Sequence, residues 1–489
     1  MPDKPDLSFW LREYQIKQVS TQKTINVVTR KGELFEFFGG VQLTAIALRL
    51  NSGDVSALKE AVLVTKPRAD SLAWTFIVAE WVIPTSPGAI APEDIALLFS
   101  QALFLSEQKR HDEAIAIYNK MLEIYPNNAD IYFKRGFERE KQEDHQEAIA
   151  DFNQAISLNP NLAEAYNGRG VARGKLGDYQ AAIADFNQAI SLNPNYAEAY
   201  NNRGIARGKL GDYQGAITDY NQAISLNPNF AEVYSNRGID RDNLGDTQGA
   251  IADFNQAINL NPNFAKAYLN RGNARYNLGD IQGAITDYNQ AINLNPNDAE
   301  AYYNRGVTRG DLGDIQGAIT DYNQAINLNP NDAKAYNNRG NARYNLGDIQ
   351  GAIADYNQAI NINPNLAETY DNRGDVRYNS GDYQGAITDY NQAINLNPND
   401  AKAYNNRGLA LINLGDYQGA IADFNQAISL NPNLAETYYS RGVALLKLGD
   451  YQGAIQDFQK AAQIYKELGQ MDAYQKVINL IQKISGNGR

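Results

Sequence analysis

Seven asparagines stand 34 residues apart: Asn202, Asn236, Asn270, Asn304, Asn338, Asn372 and Asn406. A primary amide offers one acceptor and two donors, so it can hydrogen-bond both polar groups of a peptide backbone without reading side chains. A row of them suits an extended chain. Each such bond nets about 0.5–1.5 kcal/mol, whereas ordering each ligand residue costs about 1–2 kcal/mol. Amides alone therefore give weak, permissive binding, and charged groups must add selectivity. Lys266, Lys334 and Lys402 precede every second asparagine by four residues and alternate with Glu300, Glu368 and Glu436 at the same position. That alternation points to a duplicated double unit and makes the lysines candidate peptide contacts.

Two further series keep the same period. Ten arginines run from Arg135 to Arg441 and ten aspartates from Asp151 to Asp457, each aspartate 16 residues after its arginine. On neighbouring helices such residues can meet as a ladder of ion pairs. The other reading is an arginine stripe for an acidic ligand.

Chemistry of other kinds is thinly represented. Cysteine is absent, so disulfides, thiol nucleophiles and thiolate metal sites are excluded. The two histidines, His111 and His145, occupy equivalent positions 34 residues apart and read as solvated turn residues. No third histidine completes a metal site. A net charge of −12 argues against nucleic-acid binding by phosphate neutralisation. No phosphate loop, catalytic triad or cofactor motif is present, so neither an enzyme nor a cofactor is expected. Residues 1–6 lack the pattern of a secretory signal. The most apolar stretch, 72–83, is too short to span a bilayer and contains Glu80. The expectation is a cytoplasmic protein without membrane insertion.

What must position these series is a repeat. Ten prolines, from Pro126 to Pro432, stand 34 residues apart without a break, and the other six all precede residue 95. A fixed period of this length is the mark of a stacked array. Counting each unit from its first residue, residues 163–196 give positions 1 to 34. Small residues fall at position 8 (Gly170), 20 (Ala182) and 27 (Ala189), with bulky ones at 4 (Tyr166) and 24 (Phe186). Gly177-Asp178 ends one helix and caps the next. This predicts helix A over positions 2–14 and helix B over 17–30, with Pro194 after helix B and Asn195 capping the next helix A. The asparagine row is position 6, the lysines position 2, the arginines position 7 and the aspartates position 23.

The aromatic, small residue, Gly-Asp, alanine, aromatic, alanine and proline of this pattern resemble the tetratricopeptide repeat. Eleven units cover 95–468, the first atypical in Leu98, Gln101 and Ala102 and the last in Lys466. The resemblance implies a mainly α fold, a right-handed α-solenoid superhelix of helix-turn-helix units whose A helices line a concave groove. Position 6 would then face that groove, as in members of this family that carry an asparagine ladder. The alternative is that asparagine there is family background, solvated and without a ligand. Tyr276, Tyr344 and Tyr378 at position 12 border the same face. Some members hold a partner's C-terminal carboxylate with a five-residue clamp. Here Asn273, Asn304 and Lys334 match it, but Leu269 and Asn338 do not, so tail binding is not expected.

Residues 1–83 read as a small α+β domain. It would have a hairpin over 24–38 around Arg30-Lys31-Gly32, and helical stretches near 7–19, 41–50, 55–64 and 72–83. Residues 84–94 read as a linker, and 469–489 as an amphipathic capping helix and tail built on Tyr474, Val477, Ile478, Ile481 and Ile484. The functional expectation is a non-enzymatic scaffold that binds an extended peptide or partner protein. Two other readings stay open: residues 1–83 as an effector or catalytic module served by the array, and an array that self-associates.

Overall fold

The computed structural model describes residues 92–486 and five strands: β1 (Gln15–Val19), β2 (Thr24–Val28), β3 (Leu34–Phe38), β4 (Ala61–Arg68) and β5 (Ser71–Val78). β2 pairs antiparallel with β1 and β3, and β4 pairs antiparallel with β5. Thr24 stands opposite Phe38 and Val28 opposite Leu34, the pairing expected around Arg30-Lys31-Gly32. The helical expectations nearby are corrected: 7–19 ends in β1, 55–64 runs into β4 and 72–83 starts within β5. Short apolar runs fit a buried strand as well as a helix, and Val, Thr and aromatic residues tip these toward strand. The described segments before residue 92 are all strands, which does not support an α+β domain. The stretch 41–50 and the Pro84–Gly88 part of the linker lie outside the described residues. The last residues of the expected linker belong to the helix Pro92–Glu107.

From Pro92 onward the described elements are helices, in eleven A/B pairs followed by Met471–Gly486. The chain divides into two bodies, Met1–Pro228 and Asn229–Arg489. The first contains the helix pairs of repeats 1–4, the second those of repeats 5–11. In repeat 3, helix A is Ala163–Lys175 and helix B is Tyr179–Leu192, so helix A begins and ends one residue earlier than expected.

The turn between them follows from two residues. Gly177 has φ of +85°, a left-handed conformation that costs glycine little. The Asp178 carboxylate then accepts from the Ala181 backbone N–H. Between repeats the outcome differs from expectation. Asn193 accepts from the Asn195 N–H and shapes the turn around Pro194, while the helix begins after Tyr196, which makes no side-chain cap. Repeats entered through Asp298, Asp332 or Asp400 do have a carboxylate cap at this point.

Within a pair the packing is close because one partner is small. A Cβ added to Gly306 would lie 2.8 Å from the Tyr322 ring, closer than packed carbons allow. Ala318 is fully buried in the cluster of the Tyr322 ring, and Ala301 is fully buried against Tyr288 and Ala291 of the preceding repeat. The array ends carry bulkier cores. Leu98, Ile117, Tyr118, Met121 and Ile131 form one in the first body. In the second, Val477 of the final helix packs into Ala461, Ile464 and Tyr465, with Ile478, Ile481 and Ile484 against them. That helix covers apolar surface that a further repeat would otherwise bury.

Candidate functional site

The arginine and aspartate series meet. In repeat 7, Arg305 Nε donates to Asp321 Oδ2 at 2.9 Å and Nη2 to Oδ1 at 2.6 Å, with the guanidinium 5.5 Å from the Tyr302 ring centre. Arg305 Nη1 also donates to Asn289 Oδ1 of the preceding helix B, so one side chain joins two repeats. Arg135, Arg169 and Arg203 in the first body make the same contacts. Missing from the sequence reading was a second arginine at position 11. Arg309 Nη1 donates to Asp321 Oδ2 at 2.9 Å, and the equivalent contact recurs from Arg139 to Arg377. Its signal was the same period, lost where Leu105, Leu411 and Leu445 stand in place of arginine. With its guanidinium fork spent on aspartate, this series is not a stripe for an acidic ligand.

The asparagine row is tied laterally. Asn304 Nδ2 donates to Asn273 Oδ1 of the preceding repeat, Asn338 to the Tyr303 hydroxyl, Asn372 to Asn337 and Asn406 to Asp375, all within 2.9–3.2 Å. In the first body Asn202 donates to Asn167. Each side chain is half-buried, as are Asn236 and Asn270. Asn270 is the exception in bonding: its Nδ2 is buried and makes no hydrogen bond. The preceding repeat offers Ile239 where others offer Asn273 or Asp375. Asn304, Asn338, Asn372 and Asn406 are therefore amides each fixed to the preceding repeat rather than free ones. Their partners, at positions 5 and 9, vary in identity and so left no period to find.

A polar floor supports the row in repeats 6, 8 and 9. Tyr288 donates to Asn273, Tyr356 to Asn341 and Tyr390 to Asp375. Each of these polar position 9 residues stands over a tyrosine at position 24. Of the apolar position 9 residues, Val171, Ile239 and Leu409 belong to repeats with phenylalanine there, whereas Ile205 and Val307 belong to repeats with Tyr220 and Tyr322. Beside the row runs a second one: Tyr276 donates to Asp311 at 2.5 Å, Asn379 donates to Tyr344 and Asn413 to Tyr378. The Asp311 bond and partial burial hold the Tyr276 hydroxyl pKa above its ordinary value.

Two of the three lysines of the sequence series make ion pairs within the chain. Lys402 spans to Asp371 Oδ2 at 2.8 Å and Asp375 Oδ2 at 3.0 Å, and Lys266 pairs with Glu300 at 2.9 Å. Lys334 is exposed and has no ion pair among the described residues. Burial pushes the Asp371 carboxyl up to about 6 despite Lys402, and Asp371 Oδ1 is buried without a hydrogen bond. Two of the three cations are thus neutralised by more numerous acids.

One cavity opens on this face, of about 310 Å³, lined by Asn273, Tyr276, Asn277, Tyr288, Glu300, Asn304, Val307 and Thr308. It brings Asn304 of the row together with Asn273, Tyr276 and Glu300, which the sequence also marked, and with Tyr288, Val307 and Thr308, which it did not. The histidines lie elsewhere and are not solvated: His111 Nδ1 is 2.8 Å from Glu138, and His145 Nδ1 2.8 Å from Glu140, with each ring under one-fifth exposed. Among the described residues no group of three or more His, Asp or Glu side chains could hold a metal ion. No described helix is long and apolar enough to cross a membrane.

Comparison with known proteins agrees with the repeat anatomy. Family models described as TPR repeat match residues 140–177, 243–279, 272–313, 309–347, 340–381 and 374–415. Models described as tetratricopeptide repeat match 96–128, 163–196, 197–230, 401–434 and 435–469. No curated protein shows significant similarity to the chain. Among solved structures, yeast Tom70 is 17% identical over 82% of this chain and 97% of its own, with a TM-score of 0.36. A tetratricopeptide repeat protein from Parabacteroides merdae ATCC 43184 is 21% identical over 51% and 98%, with a TM-score of 0.41. YrrB, described as a TPR protein with an unusual peptide-binding site, is 23% identical over 38% and 95%, with a TM-score of 0.32. With its 34-residue helix pairs and family matches running from 96 to 469, the chain belongs to the tetratricopeptide repeat family.

Proposed function

We propose that this protein is a non-enzymatic interaction scaffold whose A helices hold an extended peptide or partner segment. The observation that carries the reading is the lateral fixing of the asparagine row. Asn304, Asn338, Asn372 and Asn406 each give one amide N–H to the preceding repeat. Each amide keeps a second N–H, and an acceptor oxygen has two lone pairs. Amides already immobilised lose little freedom when a ligand engages them, which lowers the cost of binding. The peptide-binding description of YrrB is in keeping with this use of the fold.

The test is capture of partners from lysate by the intact protein and by a variant carrying Asn270→Ala, Asn304→Ala and Asn338→Ala, with recovered proteins identified by mass spectrometry. The variant should lose the partners that the intact protein retains. Equal recovery of every partner by both, with unchanged melting of the variant, removes the asparagine row from the reading.

A further inference from the structure

The cavity of about 310 Å³ in repeats 6 and 7 lies at the small end of ligand pockets, a size for a side chain rather than a cofactor. Its polar groups are not interchangeable. Asn273 Oδ1 already accepts from Asn304 Nδ2 and from the Tyr288 hydroxyl, each at 2.9 Å, so both its lone pairs are used and its position is fixed. Glu300 supplies a carboxylate, and its partner Lys266 is as exposed as Glu300 itself, about half in each case. An exposed pair of this kind holds its members weakly and yields to a better-placed cation. Tyr276, on the same wall, hydrogen-bonds Asp311 and so brings a second negative charge alongside. Two carboxylates thus stand against one ammonium.

The same imbalance recurs further along the A helices, where Asp371 and Asp375 share the single ammonium of Lys402. The face that the lysines marked as basic in the sequence is acidic once their partners are counted.

We propose that the cavity receives the guanidinium of an arginine carried by an extended polypeptide; this rests on the scaffold reading above and names what its partner must bring. A planar fork with five donors can reach the Glu300 carboxylate and amide oxygens on more than one wall, and can stack on a tyrosine ring, as a lysine ammonium cannot. The chain itself uses this arrangement in its interior. Arg305 lies over the Tyr302 ring with both arms of its fork on Asp321.

The experiment uses the full chain and fluorescein-labelled, unstructured peptides of serine, glycine and asparagine with one variable position, filled by arginine, lysine, glutamine or glutamate. Fluorescence anisotropy should show the arginine peptide binding about tenfold more tightly than the glutamine peptide, the ratio expected of a charge-assisted hydrogen bond. Glu300→Gln should abolish most of that preference. Lys266→Ala, which removes the competing cation, should strengthen arginine binding. If arginine and glutamine peptides bind the intact protein equally, the pocket assignment falls and the scaffold reading stands. A preference for arginine that survives Glu300→Gln undiminished also overturns it. If no peptide binds, both readings fall.

Discussion

Arg305 and Asp321 meet as parallel forks across one helix pair, at 2.9 and 2.6 Å, and Asp321 is held on its other flank by Arg309 at 2.9 Å. The carboxylate is almost wholly buried. Burying an ion costs several kcal/mol, so the pair is better evidence for register than for net stability.

Removing one partner and removing both should therefore differ, and two repeats separate the cases. Arg407→Leu alone should cost about 3–5 kcal/mol by stranding Asp423. Adding Asp423→Leu should recover most of it, because Leu411 stands where repeat 7 has Arg309 and no second arginine is left behind. The double change Arg305→Leu with Asp321→Leu should recover less, since Arg309 loses its carboxylate. Denaturant midpoints of the full chain decide this. Equal destabilisation by Arg407→Leu and by the double variant would falsify the pairing.

Two glycines in one helix should respond in opposite directions to alanine. A Cβ at Gly306 would lie 2.8 Å from the Tyr322 ring, so Gly306→Ala should destabilise by about 1–3 kcal/mol through overpacking. At Gly310 the nearest atom is the Ala318 Cβ at 3.9 Å, an ordinary contact. There Gly310→Ala should stabilise by about 0.5–1 kcal/mol, the ordinary helix preference of alanine. Thermal melts read both, and a loss of stability in Gly310→Ala would show that backbone freedom, not space, is what that position requires.

The repeat was legible because its determinants recur in most units: Gly177, Asp178, Pro194 and their counterparts act through local turns and close packing, with departures confined to the first two repeats and the last, such as Lys109 and Glu143 at the glycine position and Lys466 at the proline position. The arginine–aspartate pair was legible for the same reason. The site was legible only in part. Asn304 could be found by its period, but its pairing with Asn273 could not, because that position holds valine, isoleucine, leucine, phenylalanine, asparagine or aspartate in different repeats. The surroundings of the lysines were not legible because a sequence shows charges one at a time, whereas Lys402 pairs with Asp371 and Asp375 from the repeat before it. The helices expected at 55–64 and 72–83 failed because short apolar runs carry no decisive period.

Entry into the A helices offers a local test. Asp332 Oδ1 accepts from the Lys334 and Ala335 N–H groups at 3.0 and 3.1 Å. Asp332→Ala should cost about 1 kcal/mol and speed hydrogen exchange at those two amides before any other in the repeat. The same substitution should leave repeats 3 and 4 unaffected, because Leu162 and Tyr196 make no side-chain cap there. Unaltered exchange at Lys334 and Ala335 would mean that packing alone sets this helix start.

The Asp371 carboxyl gives stability a dependence on pH whose sign runs against the usual one for an acid. Burial, with Asp375 nearby, raises it to about 6, and Lys402 only partly offsets that. In the unfolded chain the group returns to about 4. The folded state therefore binds this proton more tightly, and the contribution to stability is fully present below about pH 4 and lost as pH rises through about 6. Asp371→Asn removes the buried charge while Lys402 keeps Asp375. The variant should match the intact protein below pH 4 and exceed it in stability above pH 6, with the gap opening between. Denaturation midpoints of both proteins across that range measure the gap. A variant less stable than the intact protein at neutral pH would show that the Lys402 bond outweighs the desolvation of Asp371.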